Sequence, residues 1–272
     1  MISITEPQTD LLSKKIYEIY GFSMMHYKTS FVQNALEKFA HDHKIKSFNI
    51  LMGLFYVDEI LFNNFKKKLF IGFSEMFRDP DVFYGIKELI KIKYQHSDRI
   101  KIWCAGCASG QEVYSLAILL SDLGLYDRAL IYATDSDDKA LKLAEYGGYD
   151  NSLAMSYAQN YYLSGGVGRF SDYFDTSFSE FRIKKQYKKN IKFAKHDLVD
   201  NNFLDEFDLI FARNILIYLK EFAQKLILSK ISTSLADGGY FIIGKNETLQ
   251  QCTNNKIFIE SGYSHNIFKF DN

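Results

Sequence analysis

The chain has 272 residues, of which 47% are hydrophobic and 16% aromatic, so it can form a sizeable core and is not expected to be disordered. Lysine plus arginine and aspartate plus glutamate both number 33, which gives no net charge to favour nucleic acid or a membrane surface. Three cysteines make no even disulfide framework, so a cytoplasmic location is expected. The amino terminus lacks a secretory signal pattern, and no uncharged apolar run approaches roughly 18 residues, so no transmembrane helix is expected.

The spacing of apolar residues in 1–70 predicts a small helical domain. Leu12, Ile16 and Tyr20 recur at helical spacing, and Gly21 is suited to end that helix. Further apolar stripes predict three more helices, at about 31–39, 47–54 and 57–70. A bundle of this kind more often packs or binds a partner than carries out chemistry, so the chemistry is sought in residues 71–272.

After a predicted helix at 82–94, strands and helices alternate. The pattern predicts strands at 100–104, 130–134, 191–194, 207–212 and 240–243, and helices at 112–123, 138–146 and 221–235. Residues of about 165–189, which are rich in glycine and then mix aromatic and basic residues, indicate a small antiparallel insertion. An Asp237-Gly-Gly239 turn and a final antiparallel pair at 256–260 and 266–270 complete an α/β fold with a mainly parallel sheet.

The centre of this alternation is a strand, a turn of small residues with Gly106 and Gly110, and a helix. Such a turn brings backbone N–H groups close to a nucleotide-like ligand, and Asp135, which ends the next strand, can accept hydrogen bonds from ribose hydroxyls. The turn lacks the third glycine of a dinucleotide site and the lysine of a P-loop. A role for the two glycines in packing alone remains the alternative.

Arg213 and Asn214 interrupt an otherwise apolar run at the end of a predicted strand. A guanidinium and an amide are costly to bury unless they bind something, and ligands sit at the carboxyl ends of strands in open α/β sheets. The alternative is a structural arginine that pairs with Glu247 or Asp208.

Cys104 and Cys107 form a C-x-x-C sequence, which raises the alternative of a redox dithiol. A redox pair usually opens a helix, whereas Cys104 closes a strand here, so a role in lining the turn is favoured. No metal site is expected, because the other ligand types, His196 and Cys252, are isolated in the sequence.

Five segments resemble, in order, the motifs of the CheR-type protein-glutamate O-methyltransferases of bacterial chemotaxis. They are FSEMFRD at 73–79, WCAGCASGQEVYS at 103–115, ATDSD at 133–137, FDLIFARNILIY at 207–218 and GGYFIIGKNE at 238–247. The resemblance implies a Rossmann-like S-adenosylmethionine methyltransferase sheet, an N-terminal helical domain and a small antiparallel β-subdomain insertion. The implied domains are 1–70 and 71–272, with the insertion at about 165–189.

The resemblance also implies the site. Cofactor contacts are expected at Ser74, Arg78, Gly106, Glu112, Asp135, Asp197, Leu198, Ala212, Arg213 and Asn214. Asp135 is expected to bind the ribose and Asp197 with Leu198 the adenine, while Arg78 and Tyr218 are expected to face the reacting groups. The implied reaction transfers a methyl group from S-adenosylmethionine to glutamate carboxylates of a chemoreceptor-like helix, and leaves S-adenosylhomocysteine. Neither nucleic acid nor membrane insertion is implied, although the substrate can itself be membrane-bound.

The helical domain departs from the family pattern. Chemotaxis members carry several arginines on the second helix, which meets acidic receptor helices, whereas the corresponding stretch 28–39 keeps only Lys28 and Lys38. Val113 replaces a usual proline, and Asp197 a usual asparagine. Two alternatives therefore stay open: a CheR-like signalling scaffold that binds the cofactor, and a methyltransferase that acts on a non-receptor protein.

Overall fold

The computed structural model describes residues 2–70, 74–199, 205–249 and 258–270. Two compact units are present, one of Met1–Phe73 with Tyr218–Gln224 and the other of Ser74–Ile217 with Lys225–Asn272. Over the described ranges, no helix combines the length and the apolar character that crossing a membrane requires.

The first unit is helical, as predicted. Its helices are α1 (Glu6–Tyr20), α2 (Thr29–Asp42), α3 (Phe48–Val57) and α4 (Glu59–Phe70). Gly21 ends α1 in the left-handed conformation, with φ of 63°. Ser47 begins α3, because its Oγ accepts a hydrogen bond from the Ile50 amide over 3.3 Å. The core consists of apolar residues from each helix, among them Leu12, Leu36, Phe55 and Phe65.

Residues Tyr218–Gln224 return from the second half of the sequence to this helical unit. The Lys28 amide donates a hydrogen bond to the Tyr218 carbonyl over 2.9 Å, and the Lys220 amide donates to the His26 carbonyl over 2.8 Å. The rings of Phe31 and Tyr218 lie 4.6 Å apart between centroids. The segment is therefore anchored on the start of α2 by both backbone and side-chain contacts.

The second unit is an α/β structure. Its helices are α5 (Pro80–Lys93), α6 (Gln111–Asp122), α7 (Asp138–Tyr146), α8 (Ala154–Leu163) and α9 (Glu221–Ser234), the last of which begins in the first unit. Its strands are β1 (Ile100–Ala105), β2 (Ala129–Asp135), β3 (Gly148–Asp150), β4 (Phe174–Thr176), β5 (Glu180–Ile183), β6 (Ile191–Lys195), β7 (Phe207–Phe211), β8 (Leu235–Ile242), β9 (Phe258–Glu260) and β10 (Ile267–Phe270).

Among the described residues, the main sheet has seven strands in the order β6-β2-β1-β7-β8-β10-β9. The five from β6 to β8 are parallel, and β10 and β9 run antiparallel to their neighbours. The chain builds outward from β1 in both directions, so the carboxyl ends of β1 and β7 form the switch point at which α/β sheets bind ligands. The predicted fold class is confirmed.

The small antiparallel sheet of the described chain has three strands in the order β3-β5-β4. It begins at Gly148, before the predicted range of 165–189, and encloses α8. A three-residue strand directly after a helix shows no alternation from which it could be predicted. The predicted Asp237-Gly-Gly239 turn is instead part of strand β8. The strand accommodates these residues by a register shift opposite Phe207 and Leu209, with Gly238 at φ of 73°. The predicted start of the penultimate strand at Lys256 lies outside the described residues.

Candidate active site

The turn between β1 and α6 requires its two glycines. Gly106 has φ of 69°, and a Cβ added there would lie 2.5 Å from Cδ1 of Ile215 in the loop after β7. Gly110 has φ of 90°, and an added Cβ would lie 3.1 Å from the Cα of Ala144. Close packing is thus one reason for these glycines, as the alternative interpretation held. The close packing also brings the loops after β1 and β7 together at the switch point, where Gly106 is exposed.

Asp135 is half-buried at the carboxyl end of β2 and holds the turn in place. Its Oδ2 accepts a hydrogen bond from the Ala108 amide over 2.9 Å, and its Oδ1 accepts one from the Asp137 amide over 2.9 Å. Burial raises the pKa of this carboxyl, and the two amides act in the opposite direction. Each oxygen has a second lone pair, so the carboxylate can still accept hydrogen bonds from a ribose diol.

Asp197 and Leu198 follow the neighbouring strand. β6 pairs in parallel with β2, and the His196 amide donates a hydrogen bond to the Asp135 carbonyl over 3.0 Å. Asp197 accepts a hydrogen bond from the Val199 amide over 2.8 Å, which forms a tight turn. Asp197 and Leu198, the predicted adenine contacts, are half-buried. They follow a strand that lies beside the one ending at Asp135, the predicted ribose contact.

Arg213 forms a buried ion-pair network. Its side chain is 2% exposed, and its Nη1 donates a hydrogen bond to Glu112 Oε2 over 2.9 Å. Its Nη2 donates to Asp79 Oδ2 over 2.8 Å and to the Arg78 carbonyl over 2.7 Å. The alternative of a structural arginine paired with Glu247 or Asp208 is wrong as to the partners. The carboxylates that Arg213 binds are those of Glu112 and Asp79, which lie more than a hundred residues earlier in the sequence.

An aromatic ring also lies beside the Arg213 guanidinium. The guanidinium carbon lies 5.2 Å from the centroid of the Phe83 ring, and Nε is buried with no hydrogen-bond acceptor among the described residues. Burial raises the pKa of Glu112, while its ion pair with Arg213 lowers it. The predicted contacts of Glu112 and Arg213 with the cofactor stay predictions; the structure gives both a partner in each other.

Asn214 is held in a left-handed conformation, with φ of 59°. Its amide donates a hydrogen bond to Glu247 Oε2 over 2.8 Å, and the Gly244 amide donates to the same oxygen over 2.6 Å. A Cβ added at Gly244 would lie 2.6 Å from Asn214 Nδ2. Glu247, whose role the sequence did not predict, therefore ties the loop after β7 to the end of β8. Ala212, two residues before Asn214, is fully buried.

The segment with Arg78 lies before α5 and has an unusual backbone. Phe77 and Asp79, on either side of Arg78, have φ of 53° and 58°. Hydrogen bonds from α8 reach the residues just before, since Asn160 Nδ2 donates to the Met76 carbonyl over 3.1 Å. The Ser74 carbonyl accepts a longer hydrogen bond, of 3.4 Å, from the Tyr157 hydroxyl. Both Ser74 and Arg78 are half-buried.

Tyr218 is predicted to face the reacting groups, and the structure assigns it to the helical unit, half-buried against Phe31. Its catalytic role stays a prediction.

Cys104 and Cys107 are buried free thiols. Burial raises the pKa of each well above the ordinary value of a cysteine. A redox cysteine reacts as the thiolate, which this environment disfavours. The structure thus supports the role of turn lining over the redox alternative; Cys252 lies outside the described residues.

Comparison with known proteins decides the family. Residues 72–265 match the family model described as the S-adenosylmethionine-binding domain of CheR methyltransferases. The chain belongs to the CheR methyltransferase family. It is 31% identical to Cher3 of Pseudomonas putida over 245 residues, which cover 90% of each chain. It is 26% identical over 279 residues to a chemotaxis protein methyltransferase of Borreliella burgdorferi, which covers 97% of this chain and 96% of the relative.

Membership of the CheR family makes the chain a methyltransferase that depends on S-adenosylmethionine, as the resemblance implied. The site fits this cofactor in two observed respects: a turn that glycine alone can form at the switch point, and a carboxylate with acceptor capacity at the end of β2. When bound, the cofactor supplies a methyl group on a positively charged sulfonium.

Proposed function

We propose that this enzyme transfers the methyl group to glutamate side chains of a chemoreceptor-like helix and forms glutamyl methyl esters. The relatives from Borreliella burgdorferi and Listeria monocytogenes, the latter 27% identical over 234 residues that cover 84% of this chain and 85% of the relative, are both named chemotaxis protein methyltransferases. Their names point to a signalling protein as the acceptor, and the charge of Arg78 points to a carboxylate.

The observation that carries the proposal is the constrained backbone on both sides of Arg78. Its carbonyl is held by the buried Arg213, and its two neighbours are fixed in left-handed conformations. A guanidinium that extends from such a backbone can bind a carboxylate in a bidentate manner and hold one oxygen in line with the donor methyl. In this proposal Arg78 orients the acceptor carboxylate.

The proposed chemistry needs no general base. The carboxyl of a glutamate is ionised at neutral pH, so it is already a nucleophile. The negative carboxylate oxygen and the positive donor neutralise each other in the transition state, which favours a site from which water is excluded. The task of the protein is then to position donor and acceptor, as a buried and closely hydrogen-bonded site can do.

The test is a transfer assay with tritiated S-adenosylmethionine and a helical receptor fragment. Glutamyl methyl esters release volatile methanol in base, whereas methylated amines keep their label. A fragment in which the acceptor glutamates are replaced by glutamine is the matched control. We expect base-labile label on the glutamate fragment alone; base-stable label, or label on the glutamine fragment, would contradict the proposal.

The variant Arg78→Ala tests the role given to the arginine. Loss of a hydrogen bond to a charged group lowers kcat/KM by about 10- to 150-fold. Arg99→Ala, which removes an exposed arginine before β1, serves as the control and should leave kcat/KM unchanged. Equal activity of Arg78→Ala and the unmodified enzyme would show that the acceptor is oriented by another group.

A second candidate, a different protein acceptor, is favoured by the composition of the helical unit. Residues 1–70 contain no arginine, and α2 with the residue before it carries Lys28 and Lys38 as its lysines. With two lysines and no arginine, α2 and the residue before it attract an acidic receptor helix less strongly than a helix that carries several arginines. Transfer to another glutamate-containing protein, with none to receptor fragments, would favour this candidate, and tight cofactor binding without any transfer would favour the scaffold alternative.

A further inference from the structure

The backbone around Arg78 has a conformation that ordinary residues avoid. Both Phe77 and Asp79 have positive φ, which brings the Cβ close to the backbone. Aspartate tolerates this conformation better than most residues, whereas it is strained for a bulky residue such as Phe77. Such a conformation persists only where the surroundings impose it. The contacts that impose it are therefore the contacts that determine where Arg78 points.

Ser115 makes one of these contacts from the middle of α6. Its side chain is fully buried, and its Oγ accepts a hydrogen bond from the Phe77 amide over 2.8 Å. The same Oγ donates a hydrogen bond to the Gln111 carbonyl over 2.7 Å. Because the hydroxyl proton is committed to Gln111, a lone pair of Oγ is directed at the Phe77 amide.

The side chain of Phe77 adds a second constraint. It is 1% exposed, and its ring centroid lies 5.2 Å from those of both Phe83 and Tyr161. On the other side of Arg78, Arg213 binds the Arg78 carbonyl and the Asp79 carboxylate. Hydrogen bonds therefore restrain the backbone both before and after Arg78. On the amino-terminal side, the acceptor of the hydrogen bond is Ser115.

We propose that Ser115 is a positioning residue for methyl transfer. Its hydroxyl fixes the Phe77 amide and so sets the direction in which the Arg78 side chain leaves the backbone. This inference rests on the proposed function, in which Arg78 orients the acceptor carboxylate. Ser115 itself touches neither donor nor acceptor in this assignment, and it acts through Arg78.

The test is a double-mutant cycle of Ser115→Ala and Arg78→Ala, measured as kcat at saturating cofactor and acceptor. Alanine suits a helix interior, so Ser115→Ala removes the hydrogen bond without disturbing α6. We expect kcat to fall about tenfold on Ser115→Ala, the effect of one hydrogen bond. In the Arg78→Ala background the same change should have little further effect on kcat, because the residue through which it acts is gone.

Controls separate positioning from general damage to the fold. Ser13→Ala makes the same change at a buried serine of α1, in the helical unit, and should leave kcat unchanged. Calorimetric titration with S-adenosylhomocysteine gives the binding-competent fraction by which each kcat is normalised. Should Ser115→Ala fail to fold, Ser115→Cys keeps the volume with a weaker acceptor and is expected to lower kcat in the same Arg78-dependent manner.

The outcomes distinguish this inference from the function on which it rests. If the unmodified enzyme turns over glutamate substrate and the effects of Ser115→Ala and Arg78→Ala multiply, Ser115 acts independently of Arg78 and the inference is overturned alone. If the unmodified enzyme methylates no glutamate, both the proposed function and the inference are overturned. A Ser115 effect that disappears in the Arg78→Ala background supports both.

Discussion

Replacement of Arg213 by methionine should strongly destabilise the second unit. The substitution keeps an unbranched side chain of similar length but removes the cation between Glu112 and Asp79, whose side chains are 17% and 20% exposed. Removal of one member of a buried ion pair leaves the others uncompensated and costs about 3–5 kcal/mol. At roughly 2–4 °C per kcal/mol for a large domain, the midpoint of thermal unfolding falls by about 6–20 °C.

The loss of stability in Arg213→Met should depend on pH, because the ionisation of Glu112 depends on pH. Burial raises the pKa of Glu112 above its ordinary value of 4.5, and Arg213 opposes that rise. A carboxyl with a raised pKa in the folded state contributes stability below its unfolded pKa, and this contribution is lost as pH rises through the folded pKa. Without Arg213 the folded pKa rises further, so the stability deficit of Arg213→Met grows as the pH is raised from mildly acidic to mildly alkaline.

Thermal unfolding followed by circular dichroism across this pH range is the assay. Arg128→Met is the matched control, since the Arg128 guanidinium donates a hydrogen bond to the Ser97 carbonyl over 3.0 Å and forms no ion pair with a carboxylate of the described residues. A deficit of Arg213→Met that equals that of Arg128→Met, or that stays constant with pH, would refute the assignment of Arg213 as the compensating charge.

Two further predictions concern the turn. Asp135→Asn replaces one acceptor oxygen by an NH2 group, which cannot accept a hydrogen bond from the Ala108 or Asp137 amide. The affinity for S-adenosylhomocysteine, measured by calorimetry, should therefore fall about 10- to 100-fold. An unchanged affinity would contradict the role of Asp135 in holding the turn and binding the cofactor. Because burial raises the pKa of Cys104 and Cys107, both should react slowly with iodoacetamide at pH 8 in the native protein and rapidly in urea, as followed by peptide mass spectrometry. Rapid native labelling of either thiol would show that it is accessible.

The sequence predicts best what depends on neighbouring residues. The strand, the glycine turn and Asp135 lie within a short stretch, and their order alone indicates a ligand site at the ends of β1 and β2. The family motifs add the residue identities. The helix bounds also follow from local signals, such as Ser47 at the start of α3 and Gly21 at the end of α1.

The sequence predicts poorly which distant residues meet. Arg213 is recognisable as a costly arginine, but nothing near it indicates that Asp79 and Glu112 neutralise it, because those contacts exist only once α5, α6 and β7 have assembled. Ser115 is harder still. A small polar residue in an apolar helix resembles a tolerated packing residue, and its hydrogen bond to an amide 38 positions earlier has no local signature.

The seven residues Tyr218–Gln224 also bear on how the chain can be divided in the laboratory. Leu219 is 2% exposed, and the backbone of Tyr218 and Lys220 is bonded to the start of α2. A fragment that begins at residue 74 would keep this segment but lose the helical unit against which it packs. The separate fragment 1–73 would lack the segment that packs on it. Deletion and domain-swap designs should therefore carry Tyr218–Gln224 together with the first 73 residues, since the boundary in the sequence is not a boundary in space.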